Sequence, residues 1–164
     1  MLAILIYISA IVAANISIAT FGPSVSPINS FLFIGLDLAI RDHLHEAWSG
    51  KFLWPRMLGL IAVAGVISFA LNPATGMIAV ASVVAFMAAA VIDFVVYGLL
   101  SGRSYLERSN GSNSVAAMAD SLIFPAIAFG AWMPEIVAMQ FAAKTLGGAA
   151  WARLIYRVKS TGCL

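Results

Sequence analysis

The sequence predicts an all-α polytopic membrane protein, a six-transmembrane-helix bundle that occupies residues 1–164 as a single transmembrane domain. Three observations carry that prediction. Of the 164 residues, 62% are hydrophobic and only 10% are charged, whereas a soluble domain carries about 25% charged residues. The mean hydropathy is +0.99, and the apolar residues fall in runs near the ~20 residues that a helix needs to cross a bilayer. These runs lack the apolar/polar alternation of barrel strands, so helices are left to satisfy every backbone N–H and C=O in hydrocarbon.

The first span is predicted at residues 2–21. It has no Lys or Arg ahead of its apolar part, so it reads as a retained helix and not as a cleaved signal sequence. Gly22-Pro23 and Pro27 punctuate its end. The second span, 28–47, is unusual: its apolar stretch INSFLFIGLDLAI has 13 residues and runs into RDHLHEAW with no helix breaker. That pattern predicts a helix continuing into the headgroup layer; the alternative is a re-entrant segment with five crossings in all.

The third span, 54–71, meets the fourth, 76–100, across Asn72-Pro73, a connection so tight that the two must form an antiparallel hairpin. The longest polar stretch, SGRSYLERSNGSNS, reads as a 14-residue loop before the fifth span at 114–132. Pro134 then opens the sixth span at 135–157. Small residues recur at helix-contact spacing, as in Gly59/Ala62, Ala85/Ala89 and Gly147/Gly148/Ala150, which is ordinary close packing in membranes.

Positive charge is one-sided. Arg41, Lys51, Arg56, Arg103, Arg108, Arg153, Arg157 and Lys159 fall on the same face of this topology, and the first, third and fifth connections hold none. The positive-inside rule then places both termini in the cytoplasm of a cell whose inner (plasma) membrane holds the chain. Lys144 remains, inside the sixth span.

A charge at the bilayer centre costs about 2.5–3.5 kcal/mol, so each one needs a partner, water or a purpose. Asn15, Asp37 and Lys144 fall near mid-depth, and Asp93 and Asp120 in the cytoplasmic half. Gln140 lies one turn before Lys144 on the same helix face. These groups, drawn from five helices, are expected to converge on one polar cavity, with Lys144 facing Asp37, Asp93 or Asp120. Asp37, Arg41 and His45 share a stripe at i, i+4 spacing. Arg41 and His45 are the candidates for proton coupling, His45 because imidazole changes charge near neutral pH. The plainer reading makes DLAIRDHLHE a solvated helix end in which Arg41, Asp42, His43 and Glu46 neutralise one another.

Other chemistries find little support. Cys163, the single cysteine, allows no internal disulfide and no CxxC site. His43 and His45 as H-x-H on a helix point about 200° apart, so no metal is expected. No GxSxG elbow or phosphate-cradling loop occurs, so neither enzyme activity nor a cofactor is expected. The formal charge of +2 is scattered without interleaved aromatics, which argues against nucleic acid. Lipid bilayer and a small solute are the expected partners, with a homo-oligomer left open.

The residues Ala14-Asn15, Asp37 to Glu46 leading into Trp48-Ser49-Gly50, and Asp93 form one part of a pattern; Arg108-Ser109-Asn110, MADSLIFPAIAFG (118–130) and QFAAKTLGG (140–148) form the other. Together they resemble the vitamin-uptake-transporter family, also called the queuosine-precursor transporters, over most of the chain. The resemblance implies a six-helix inner-membrane importer of a purine-like solute, 7-cyano-7-deazaguanine or a related 7-deazapurine, with Asn15, Asp37, Asp93, Asp120, Gln140 and Lys144 as candidate substrate contacts. Such a ring offers adjacent N–H and NH2 donors that one carboxylate can accept in a bidentate manner. The six-helix size also fits the substrate-binding subunit of a multi-component vitamin importer driven by an ATP-hydrolysing partner.

Overall fold

Hydrocarbon offers the backbone no water, and the chain responds with helices. The computed structural model describes residues 2–48 and 52–160, the side chains of 45, 46, 53, 54, 159 and 160 excepted. Among the described residues there are six rods: α1 (Leu2–Phe21), α2 (23–47), α3 (Leu53–Leu71), α4 (Gly76–Leu99), α5 (Tyr105–Ala128) and α6 (Pro134–Ser160). Leu2–Phe21, Pro23–Leu44 and Pro73–Leu99 are each long and apolar enough to cross a membrane by themselves, and Pro55–Leu71 is a shorter apolar helix.

Helices α5 and α6 match the others in length but carry more polar residues, and burial shows where these go. On α5 the apolar Val115, Met118 and Leu122 face outward, while Ser109, Ser112, Asn113, Asp120 and Ser121 face inward. On α6 Met139, Leu146 and Leu154 face outward and Gln140, Lys144, Gly147 and Gly148 inward. This amphipathy is inverted relative to a soluble bundle, because the outer solvent is lipid and the polar groups must find one another inside.

The helices close a ring in which α1 packs on α2 and α3, α3 on α4, α4 on α5, α5 on α6, and α6 on α2. The α4–α5 contact is the most extensive, and α1 also reaches α4 across the interior. The α2–α6 contact is very close: a Cβ on Gly35 would lie 2.6 Å from the Gly147 carbonyl carbon, and one on Gly147 would collide with the Phe31 carbonyl. Only glycine permits that approach.

Helix α2 departs from the sequence expectation at both ends. It starts at Pro23 and not at residue 28, because Pro23 and Pro27 both sit in first-turn positions, where a missing N–H costs nothing. A 3-10 turn (Pro23–Val25), one α turn (Ser26–Asn29), a π-helical turn (Ser30–Ile34) and an α-helix (Gly35–Ala47) follow without a break. The rod is continuous, not re-entrant. Helix α5 likewise starts nine residues before the expected 114, since Ser104 and Glu107 form a reciprocal capping box that turns most of the expected loop into helix.

Arginines mark one end of the bundle. Arg56 stacks over Trp48, Arg108 over Tyr97, and Tyr105 stacks on Tyr156 with ring centroids 6.0 Å apart, which joins the start of α5 to the end of α6. Lys51 and Cys163 fall outside the described residues.

Candidate functional site

Asn15, Gln140 and Lys144 are each tied to a serine hydroxyl on a neighbouring helix. Lys144, 1% exposed, reaches from α6 to α5, where its Nζ lies 2.5 Å from Asp120 Oδ2. It also donates to Gln140 Oε1 at 2.8 Å and Ser121 Oγ at 3.3 Å. Gln140 in turn donates from Nε2 to Ser26 Oγ on α2 at 2.6 Å. Three helices are thus tied by one ammonium and one amide. Pro125, inside α5, has no N–H for the Ser121 carbonyl one turn back, so the helix is loosened next to Lys144.

Asn15 on α1 joins the opposite wall. Its Nδ2 donates to Ser68 Oγ on α3 at 3.0 Å, and its Oδ1 accepts from the Ser82 hydroxyl on α4. The Ser68 hydroxyl itself donates to the Ala64 carbonyl at 2.8 Å. Asn29, which ends the Ser26–Asn29 turn of α2, donates to the Ala14 carbonyl at 3.3 Å.

Between these walls lies a cavity lined by Asn15, Ser26, Asn29, Ser30, Ser82, Asp120, Gln140 and Lys144, with Phe86 and Phe124 as its aromatic surfaces. Four of the residues singled out in the sequence, Asn15, Asp120, Gln140 and Lys144, meet here. About 20 Å³ is open to the centres of water-sized molecules, which is room for a single water and far below the few hundred Å³ that enclose an organic ligand. A ring system therefore needs the walls to part. Asp120 Oδ1 is buried and accepts no hydrogen bond, the one orphan carboxylate oxygen on this wall.

Asp37 and Asp93 do not line the cavity. Asp37 accepts from Arg41 Nη2 at 2.7 Å, and both side chains are fully buried. The pair sits against Tyr7 of α1 and within electrostatic reach of Asp93 on α4. Asp42, also fully buried, accepts from the Ser109 hydroxyl and from Asn113 Nδ2, the latter at 3.1 Å. Asp93 acts on Asp42 as well and faces Ser112 of α5.

This second cluster corrects two sequence readings. Arg41 and Asp42 are not part of a solvated helix end: both are fully buried, Asp42 beneath Ser109 and Asn113 of the early-starting α5 and Arg41 beside Asp37 and Tyr7. Arg41 therefore does not count among the charges of a connection. The side chains of His45 and Glu46 lie outside the described residues, so the proposed role of His45 has no structural counterpart here. Among the described residues no group of three His, Cys, Asp or Glu is placed to hold a metal.

Sequence reasoning passed over Ser26, Asn29, Ser30 and Ser82 because a hydroxyl in a membrane helix can bond its own backbone, as Ser68 does, and leaves no mark in the pattern. Asn29 carried a usable signal, a carboxamide inside a predicted span.

A wider groove between α3 and α4, lined by Gly65, Phe69, Met77 and Val83 among others, is wholly apolar and gives a polar solute nothing to bond.

The family described as "Putative vitamin uptake transporter" matches this chain over residues 2–158. No curated protein and no solved structure matches it.

Proposed function

We propose, because the chain belongs to the vitamin uptake transporter family, that the solute it carries is a queuosine precursor, 7-cyano-7-deazaguanine or a related 7-deazapurine. Import would run through the cavity between Asp120 and Lys144, across an inner membrane with both termini in the cytoplasm. The orientation rests on the arginines gathered at one end of the bundle.

The observation that carries this reading is Asp120 Oδ1, an enclosed acceptor without a donor beside a lysine that is already satisfied. A 2-amino-4-oxo pyrimidine edge presents two parallel N–H donors, which a carboxylate accepts through both oxygens. To take that edge, Asp120 Oδ2 turns from Lys144, whose ammonium keeps Gln140 and Ser121 and gains the ring carbonyl. Phe86 and Phe124 supply faces for stacking. Asn15 closes the far side. Asp37 and Asp93 lie one layer away and do not touch the solute.

A thermal-shift screen of deazapurines, purines and vitamins on detergent-solubilised protein tests this directly. A ligand at 100 times its Kd stabilises the fold by about 2.7 kcal/mol. 7-Cyano-7-deazaguanine should raise the Tm of the wild type and leave Asp120→Asn unmoved. Uptake by the purified protein alone in liposomes separates a self-sufficient carrier from a binding subunit. A vitamin that shifts the Tm where no deazapurine does would overturn the substrate assignment.

A further inference from the structure

We infer that the first stretch of α2, residues 23–30, is the gate of the cavity, hinged at Gly22 and at the π-helical turn Ser30–Ile34 and latched shut by the hydrogen bond from Gln140 to Ser26. The inference rests on the transport reading above and names the wall that parts to admit the solute.

The cavity has room for a single water, so one of its walls must move before a ring system can enter. Most are poorly built for it. The walls from α1, α4 and α6 belong to unbroken α-helices, Leu2–Phe21, Gly76–Leu99 and Pro134–Ser160. Helix α5 is loosened at Pro125, but its cavity residues, Asp120 and Phe124, both precede that proline, and the helix is bound to α4 by the most extensive contact in the bundle.

Helix α2 contributes Ser26, Asn29 and Ser30 from a stretch with a hinge at each end. At one end Gly22 takes φ +77°, a backbone angle that glycine adopts without strain, and the space about its Cβ position is open. At the other, the Gly35 N–H donates to the Ser30 carbonyl five residues back, the wide π pattern. Exchanging that bond for an α-helical one, four residues back, turns the chain before it against the chain behind it. The turn has a firm support to pivot on, since the Phe31 carbonyl and Gly35 both lie against the Gly147 backbone.

Two side-chain bonds close this stretch onto its neighbours. Asn29 donates to the Ala14 carbonyl of α1 at 3.3 Å, and Gln140 of α6 donates to Ser26 Oγ at 2.6 Å. The second is set by the binding site itself. Gln140 Oε1 accepts from Lys144 at 2.8 Å, which leaves the amide's Nε2, and not its oxygen, to face Ser26. Lys144 is in turn held by Asp120. A solute that draws Asp120 from Lys144 therefore acts on a chain of bonds that ends at the gate, and site and latch share one ammonium.

Distances between spin labels test this without a solute. In full-length protein carrying Cys163→Ser and reconstituted in liposomes, Ile28→Cys on the gate is paired with Met77→Cys on α4, the helix opposite α2 in the ring; both positions are exposed. Opening lengthens that distance. A second pair, Ala126→Cys just past Pro125 with Thr20→Cys on α1, also exposed, reports on α5 in the same way. Ser26→Ala, which removes the acceptor of the latch, should raise the population of the longer Ile28–Met77 distance about fivefold, the weight of one ordinary hydrogen bond, and leave the Ala126–Thr20 pair unchanged. Ser26→Thr, which keeps the hydroxyl, should behave as the wild type. Asn29→Ala releases the other tie and gives the same reading should Ser26→Ala fail to fold. An Ile28–Met77 distance that stays single and unmoved in both variants overturns the inference, as does lengthening of the α5 pair, whether alone or together with the first. If no deazapurine binds, the substrate assignment fails and these distances still decide whether α2 gates the cavity.

Discussion

Removing the charge of Lys144 alone should be far more damaging than removing it together with the charge of Asp120. Lys144 Nζ lies 2.5 Å from Asp120 Oδ2, and both side chains are within a few per cent of complete burial. Lys144→Met leaves an ionised carboxylate enclosed with no cation, a loss of about 3–5 kcal/mol for a buried pair broken on one side. Asp120→Asn leaves the ammonium with Gln140 and Ser121 as its two remaining acceptors, which offset part of the same cost. The double variant carries no charge at the site, and replacing a buried pair as a unit is often close to neutral. The cycle should therefore show a coupling of about 3 kcal/mol, at the upper end for residues in direct contact. Equilibrium unfolding of the four proteins in mixed SDS micelles measures it. Costs that simply add, with the double variant the least stable of the four, would refute the argument that these groups balance one another. Solute binding should remain absent in the double variant even where stability returns, which separates the structural part of the pair from its contact with the solute.

Further outcomes follow from the same geometry. Gly147→Ala places a methyl group against the Phe31 carbonyl and should destabilise by about 1–3 kcal/mol as an overpacked contact. Gly59→Ala, with open space around its Cβ, should leave the Tm unchanged or slightly raised. Ser104→Ala removes the cap of α5 and should cost about 1 kcal/mol. The backbone N–H and the hydroxyl of Ser104 hold the Glu107 carboxyl below its ordinary value. A depressed carboxylate stabilises above the unfolded pKa and loses that contribution as pH falls through the folded one. Amide exchange in the first turn of α5, corrected for intrinsic rate, should thus accelerate below about pH 4.3, the ordinary Glu value.

The expected site divided into two, and the division has a cause. Asn15, Asp120, Gln140 and Lys144 stood out because apolar side chains are cheap in lipid and these polar ones are not. Lys144 had three acids as candidate partners, and nothing in the spacing chose among them. The choice of Asp120 comes from α5 and α6 being direct neighbours at the depth where both side chains point inward. Asp37 was instead claimed by Arg41 one turn along its own helix. The burial of Asp42 was hidden because its cover, Ser109 and Asn113, lay in a stretch that reads as loop by composition. The Ser104-x-x-Glu107 box was the available signal that this stretch is helical.

Composition alone determined the solvent, and with it the helices, since a chain this apolar has no other way to pair its backbone in hydrocarbon. The prolines and glycines between runs set most of the connections, and the cost of burying charge marked which residues to watch. Tertiary structure decided how those residues were grouped. Partnering across a bundle depends on helix rotation and depth, and these are settled by contacts such as Gly35 on Gly147, where the absence of two side chains lets α2 and α6 meet. A local pattern of polar and apolar residues says which face of a helix turns inward, but not which neighbour it will find there.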